Sequence, residues 1–95
     1  MSLYNMKHLN DHYEINKFDS DLNPQATYEV STKECNCQAG HRPTCRHRQM
    51  LLVFQYSGRI NTGWMWEFDD REWFFLDQSS GLIPEKRIKG HWRRA

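Results

Sequence analysis

The alternation of apolar and polar positions along this chain predicts short strands before it predicts anything else. Tyr13, Ile15 and Lys17 alternate with Glu14, Asn16 and Phe18, the two-residue period of a short first strand. Asp19-Ser20-Asp21-Leu22-Asn23-Pro24 has the composition of a turn or loop. Ala26 to Lys33 is rich in strand-favouring Thr, Tyr and Val, with Tyr28 and Val30 on one face. A helix is expected from about Thr44 or Cys45, just after Pro43, through RHRQMLLVFQY. The apolar run Met50 to Phe54 is too continuous for a clean amphipathic stripe, so it reads as a helix buried on two sides, or else as a strand. Gly58 is a natural left-handed stop. Trp64 to Phe68 and Trp73 to Asp77 flank the polar turn Asp69-Asp70-Arg71 and predict a hairpin, after which Pro84 ends the region.

Length then limits the architecture. The 95 residues suit one domain spanning 1–95, and a chain this short buries little surface and often gains stability from a metal. No stretch of eighteen or more apolar residues exists, and the start, MSLYNMKHLNDHYE, lacks the basic-then-apolar layout of a secretory signal. A cytoplasmic location, with no membrane, is the expectation. Three cysteines all fall between Cys35 and Cys45, an odd number that cannot pair completely. Thiols clustered beside histidines in a reducing compartment point to ligands.

The segment Cys35-Asn36-Cys37-Gln38-Ala39-Gly40-His41-Arg42-Pro43-Thr44-Cys45-Arg46-His47 carries the chemistry. Closed sites of three thiolates and one imidazole are the structural kind of zinc site, with no position left for water or substrate. On an extended strand Cys35 and Cys37 face the same side. Cys45 and His47 are also two apart, and they converge only if Cys45 sits at the helix entrance set by Pro43 and Thr44. His41 is the rival fourth ligand, in a Cys35, Cys37, His41, Cys45 set that leaves His47 in the helix. Three reduced cysteines with no metal are the plain alternative.

The spacing resembles that of the SWIM zinc finger: Cys-x-Cys, a variable spacer, then Cys-x-His at a helix start. Here the spacer runs from Gln38 to Thr44, and the likeness covers about Thr27 to Tyr56. It implies a β-β-α zinc unit with Cys35, Cys37, Cys45 and His47 as ligands to one structural Zn2+. It also implies binding to DNA or to other proteins.

Charge refines the functional expectation. The formal net charge of +1 hides an uneven distribution. The first third is acidic, through Asp11, Glu14, Asp19, Asp21 and Glu29, and so is the hairpin, through Glu67, Asp69, Asp70, Glu72 and Asp77. Arg42, Arg46 and Arg48 make the metal segment basic, as Lys86, Arg87, Lys89, Arg93 and Arg94 make the end, 85–95. The end also carries Trp92, and such a mixture can grip phosphates and stack a base, or can be a flexible solvated tail. Trp64, Trp66 and Phe68 share one strand face, and Trp73 and Phe75 share one face of the next. With carboxylates around them, these read as core against the helix rather than as a stacking surface. Asp69, Asp70 and Glu72 read as a solvated turn, not as a catalytic site.

These expectations assemble into an α+β fold, a small zinc-stapled β-β-α unit (about 27–56) packed on an aromatic β-hairpin (about 62–78). The expected function is a non-enzymatic zinc-binding module, with no small-molecule substrate, that binds DNA or RNA through the named basic residues. A protein-protein interaction adaptor using the acidic aromatic hairpin is the alternative, and a zinc-linked nuclease a distant one.

Overall fold

The computed structural model describes residues 2–31, 34–37, 46–68 and 90–94. Five strands form one sheet, with a single helix among the described residues packed on one face. The elements are β1 (Ser2–His8), β2 (Tyr13–Phe18), β3 (Pro24–Val30), α1 (Arg46–Ser57), β4 (Trp64–Phe68) and β5 (Gly90–Arg94). Their spatial order is β3-β2-β1-β4-β5, and every pairing is antiparallel. The architecture is α+β. Between β3, at one edge, and β4, beside β1, the chain passes through α1 over the sheet face.

The central strand is β1, which the alternation argument starting at Tyr13 does not reach. Its helix-facing residues Tyr4 and Met6 alternate with Asn5 and Lys7, but Leu3 beside Tyr4 blurs the two-residue period. All three are buried, so Leu3 is covered on the opposite face, as is Met65 of β4. β1 and β2 form a hairpin closed by Leu9 N–H donating to the His12 carbonyl at 2.9 Å. Across the opposite face the Thr27 hydroxyl donates to Asn16 Oδ1 at 2.8 Å, and Asn16 Nδ2 donates to Asn5 Oδ1 at 2.9 Å. This amide chain ties β3, β2 and β1 together where the helix does not reach.

The β2–β3 turn is organised by Asp19. Its Oδ1 accepts from the backbone N–H of Asp21 and of Asn23, both at 2.9 Å, and Leu22 takes a left-handed φ of 66°. β3 begins at Pro24, two residues earlier than expected, and ends at Val30.

The run Met50 to Phe54 is helical, and Met50, Leu51, Val53 and Phe54 are completely buried against Tyr4, Met6, Ile15, Val30 and Trp66. The helix stops where Gly58, at φ 72°, donates its N–H to the Phe54 carbonyl at 3.0 Å. Asn61, also left-handed, then continues the sheet ladder where β4 does not reach. It donates its N–H to the Met6 carbonyl at 3.0 Å, and its Oδ1 accepts from His8 N–H at 2.9 Å.

β4 pairs with β1 on one side and with β5 on the other. The other arm of the expected hairpin, Trp73 to Asp77, lies outside the described residues. The part of the basic end that is described, Gly90 to Arg94, is not a solvated tail but a strand in register with all of β4. Its anchor is Trp92, whose ring meets Trp66 at 4.8 Å and Phe54 at 5.2 Å, both edge-on. A tryptophan able to cover the sheet's end is enough reason for this strand to dock.

Candidate metal centre

The centre grows from the end of β3. After Val30 the chain makes a tight turn in which Ser31 N–H donates to the Glu34 carbonyl at 2.8 Å and Glu34 N–H donates to Ser31 Oγ at 3.1 Å. This returns the chain antiparallel to β3, with Cys35 bridged to Val30. Asn36 then clasps the outer edge of the strand. Its N–H donates to the Glu29 carbonyl at 3.1 Å, and its Oδ1 accepts from the Glu29 N–H at 3.0 Å. Both backbone groups of Glu29 are satisfied by one residue, which pins the middle of Cys-x-Cys and leaves the cysteines on either side to face the helix.

From the other direction comes His47, in the first turn of α1. Its imidazole stacks on Tyr28 of β3, with ring centroids 4.0 Å apart and planes 25° from parallel. Cys35 Sγ lies 3.6 Å from His47 Nδ1. One donor atom from each of Cys35, Cys37 and His47 falls within 4.8 Å of the others. Cys35 and His47 are buried and Cys37 is half-buried. These three side chains can hold a metal ion. They come from two elements far apart in sequence, so an ion here would join the β3 return to the start of α1.

Three of the four expected ligands are therefore together. Cys45, the rival His41, and Arg42 lie outside the described residues. Neither Tyr28 nor Asn36 was foreseen as part of the centre. Tyr28 carries a sequence signal only as a strand residue, and Asn36 only as the spacer between two thiols.

The basic residues divide. Arg46 and Arg48 flank His47 on the first turn of α1 and are half-buried. Arg93 is engaged on the opposite face of the sheet, where its Nη1 donates to Glu67 Oε2 at 3.1 Å while His91 Nε2 lies 2.7 Å from Glu67 Oε1. Arg94 lies over the Trp64 ring at 5.6 Å. Lys86, Arg87 and Lys89 are outside the described residues.

Beside the centre is a cleft of about 290 Å³ lined by His12, Glu29, Val30, Ser31, Glu34, Cys35 and Asn36. A short hydrogen bond that His12 Nδ1 donates to Asp11 Oδ1, at 2.7 Å, raises the His12 pKa above the ordinary histidine value, and the nearby Glu29 and Glu14 carboxylates act in the same direction. The same contact holds the Asp11 carboxyl below its usual range.

Fold and site together define an α+β domain with a cysteine–histidine cluster at a strand–helix junction. No family model, no curated protein and no solved structure matches the chain. Among the described residues no helix is long and apolar enough to cross a membrane.

Proposed function

We propose that this protein is a non-catalytic zinc-binding module that binds nucleic acid. The observation that carries the metal reading is the 3.6 Å between Cys35 Sγ and His47 Nδ1. Tetrahedral zinc with Zn–S of about 2.3 Å and Zn–N of about 2.0–2.1 Å gives an S···N edge of about 3.5–3.6 Å. The donor set is the soft-to-borderline kind that zinc prefers, and Cys45, one residue before α1, completes it as the fourth ligand. With four protein donors no coordination position remains open, which is why the zinc is structural.

The nucleic-acid reading rests on Arg46 and Arg48, which the metal and the helix hold in fixed positions on either side of His47, with Arg42 nearby in sequence. Cations on a rigid support fix register on a phosphate backbone, and their release of counterions makes binding fall steeply with salt. Lys86, Arg87 and Lys89 are further cations of the basic C-terminal sequence. Arg93 adds less, because Glu67 already neutralises it.

Two measurements test this. Elemental analysis of protein purified without chelators should give one zinc per chain. Cys35→Ser, Cys37→Ser, Cys45→Ser and His47→Ala should each release it, while His41→Ala should retain it. Zinc held by His41 in place of His47 overturns the ligand assignment. The zinc-loaded protein should also retain DNA or RNA at ~50 mM salt and lose it as salt rises. The paired change Arg46→Glu and Arg48→Glu should nearly abolish retention with zinc still bound. No retention by the wild type would transfer the function to a protein-interaction adaptor.

A further inference from the structure

Among the described tryptophans, Trp64 is the one outside the core. It shares a strand face with Trp66, yet Trp66 is 1% exposed and central to the core, whereas Trp64 is half-buried and outside it. Two guanidinium groups use its ring instead. Arg59, in the loop after α1, lies over Trp92 at 4.7 Å and over Trp64 at 5.4 Å. Arg94, the cross-strand partner of Trp64, lies over the same ring at 5.6 Å. Among the described residues neither arginine has a carboxylate partner, in contrast to Arg93 on the opposite face, whose charge Glu67 meets. The β4–β5 pair and the loop after α1 thus present an indole and two guanidinium groups that have no counter-charge among the described residues.

From this arrangement we infer that Trp64, Arg59 and Arg94 form a stacking platform for one base of a single-stranded nucleic acid, with the adjoining phosphate taken by the two guanidinium groups. A guanidinium that lies over a ring keeps its N–H donors at its edge, available to phosphate oxygens. Bases of a single strand stack on aromatic rings and on guanidinium planes alike, which a paired base inside a duplex cannot do. A peptide carboxylate would meet the arginines but would leave the indole unused, so the mixed surface favours a strand carrying both π-faces and phosphates. The inference rests on the nucleic-acid reading above and adds to it a second contact, one that selects single strands.

The test is a titration at low salt of a fluorescein-labelled oligothymidylate of roughly 15 nucleotides, a length such surfaces can track, and of the matching duplex. Wild-type protein should bind the single strand more tightly. Trp64→Leu should weaken single-strand binding by about tenfold, the scale of one lost base–aromatic stack, and leave duplex binding and zinc content of the folded variant unchanged. If Trp64→Leu does not fold, the pair Arg59→Gln and Arg94→Gln decides. Weaker binding with a shallower salt dependence supports the platform, and unchanged binding overturns it. Unchanged binding in Trp64→Leu, together with loss in the Arg46→Glu and Arg48→Glu variant, overturns the platform and keeps the broader reading. No binding by the wild type overturns both.

Discussion

A histidine whose ring N–H donates a 2.7 Å hydrogen bond to a carboxylate gains stability as the cation, and His12 is in that position. Its pKa is raised in the folded protein, so the stabilising contribution is present below the ordinary histidine pKa and is lost as pH rises through the folded value. An NMR titration should place His12 above a free histidine, and Asp11→Asn should return it toward the ordinary value. Asp19 has the opposite sign. Hydrogen bonds from the Asn23 backbone and side chain lower its pKa, so the stability they lend is present above the ordinary aspartate value and lost as pH falls through the folded one. At the metal centre the residues that do not ligate are the informative ones. Tyr28→Ala removes the ring that orients His47, and metal affinity measured by chelator competition should fall on the order of tenfold, as losing a ligand's outer support commonly does. Asn36→Ala removes the acceptor for Glu29 N–H and should weaken the metal by a similar factor without removing a ligand.

Elements here are fixed as much by how they stop and dock as by propensity. The helix contributes four completely buried apolar side chains, Met50, Leu51, Val53 and Phe54, and Phe54→Ala should cost about 3–5 kcal/mol in denaturant unfolding, as large-to-small core changes do. Gly58 ends that helix at a positive φ with open space around its α-carbon, so Gly58→Ala should cost about 1–2 kcal/mol, from the alanine β-carbon crowding its own backbone at that φ and not from any neighbour. Gly90 differs. A β-carbon there would lie 2.6 Å from the Trp66 ring and 2.7 Å from the Glu67 carbonyl, so Gly90→Ala must push β5 away from β4. The resulting exposure of Trp92 should appear as a red-shifted tryptophan emission and a loss of about 1–3 kcal/mol, the usual range for overpacking.

For the whole molecule the candidate metal centre and the sheet are coupled through β3. The strand supplies Tyr28 to the imidazole, Glu29 to the Asn36 clasp and Val30 to both the core and the Cys35 bridge. If the ion is structural zinc, as proposed, it contributes on the order of 10 kcal/mol of apparent binding energy, comparable with the full stability of a small domain. Chelation should therefore reduce helical circular dichroism and broaden the NMR signals of β3 and α1. Signals from the β1–β2 hairpin, held by its own ladder and the Asn16–Asn5 amide pair, should be the last to change. A chain that keeps its full helical signal after metal removal would show that apolar packing alone suffices at the junction.

Local chemistry determined part of this protein directly. Cys35, Cys37 and His47 are ligand types at close spacing, and the strand at Tyr13, the buried helix at Met50 to Phe54 and the stop at Gly58 follow from period, continuity and backbone freedom, each a property of neighbours in sequence. Tertiary structure decided what depends on residues far apart. It placed β1 at the centre, although Leu3 and Tyr4 are adjacent and no period separates them, because both faces of the sheet are covered there. It made a strand of Gly90 to Arg94, because Trp92 finds Trp66 and Phe54, and neither partner is visible from the basic sequence around it. It also separated Trp64 from Trp66, two residues with the same strand signal, by giving one the core and the other two arginines. Composition records which side chains are present; only packing distributes the cations and rings between the interior and the surface.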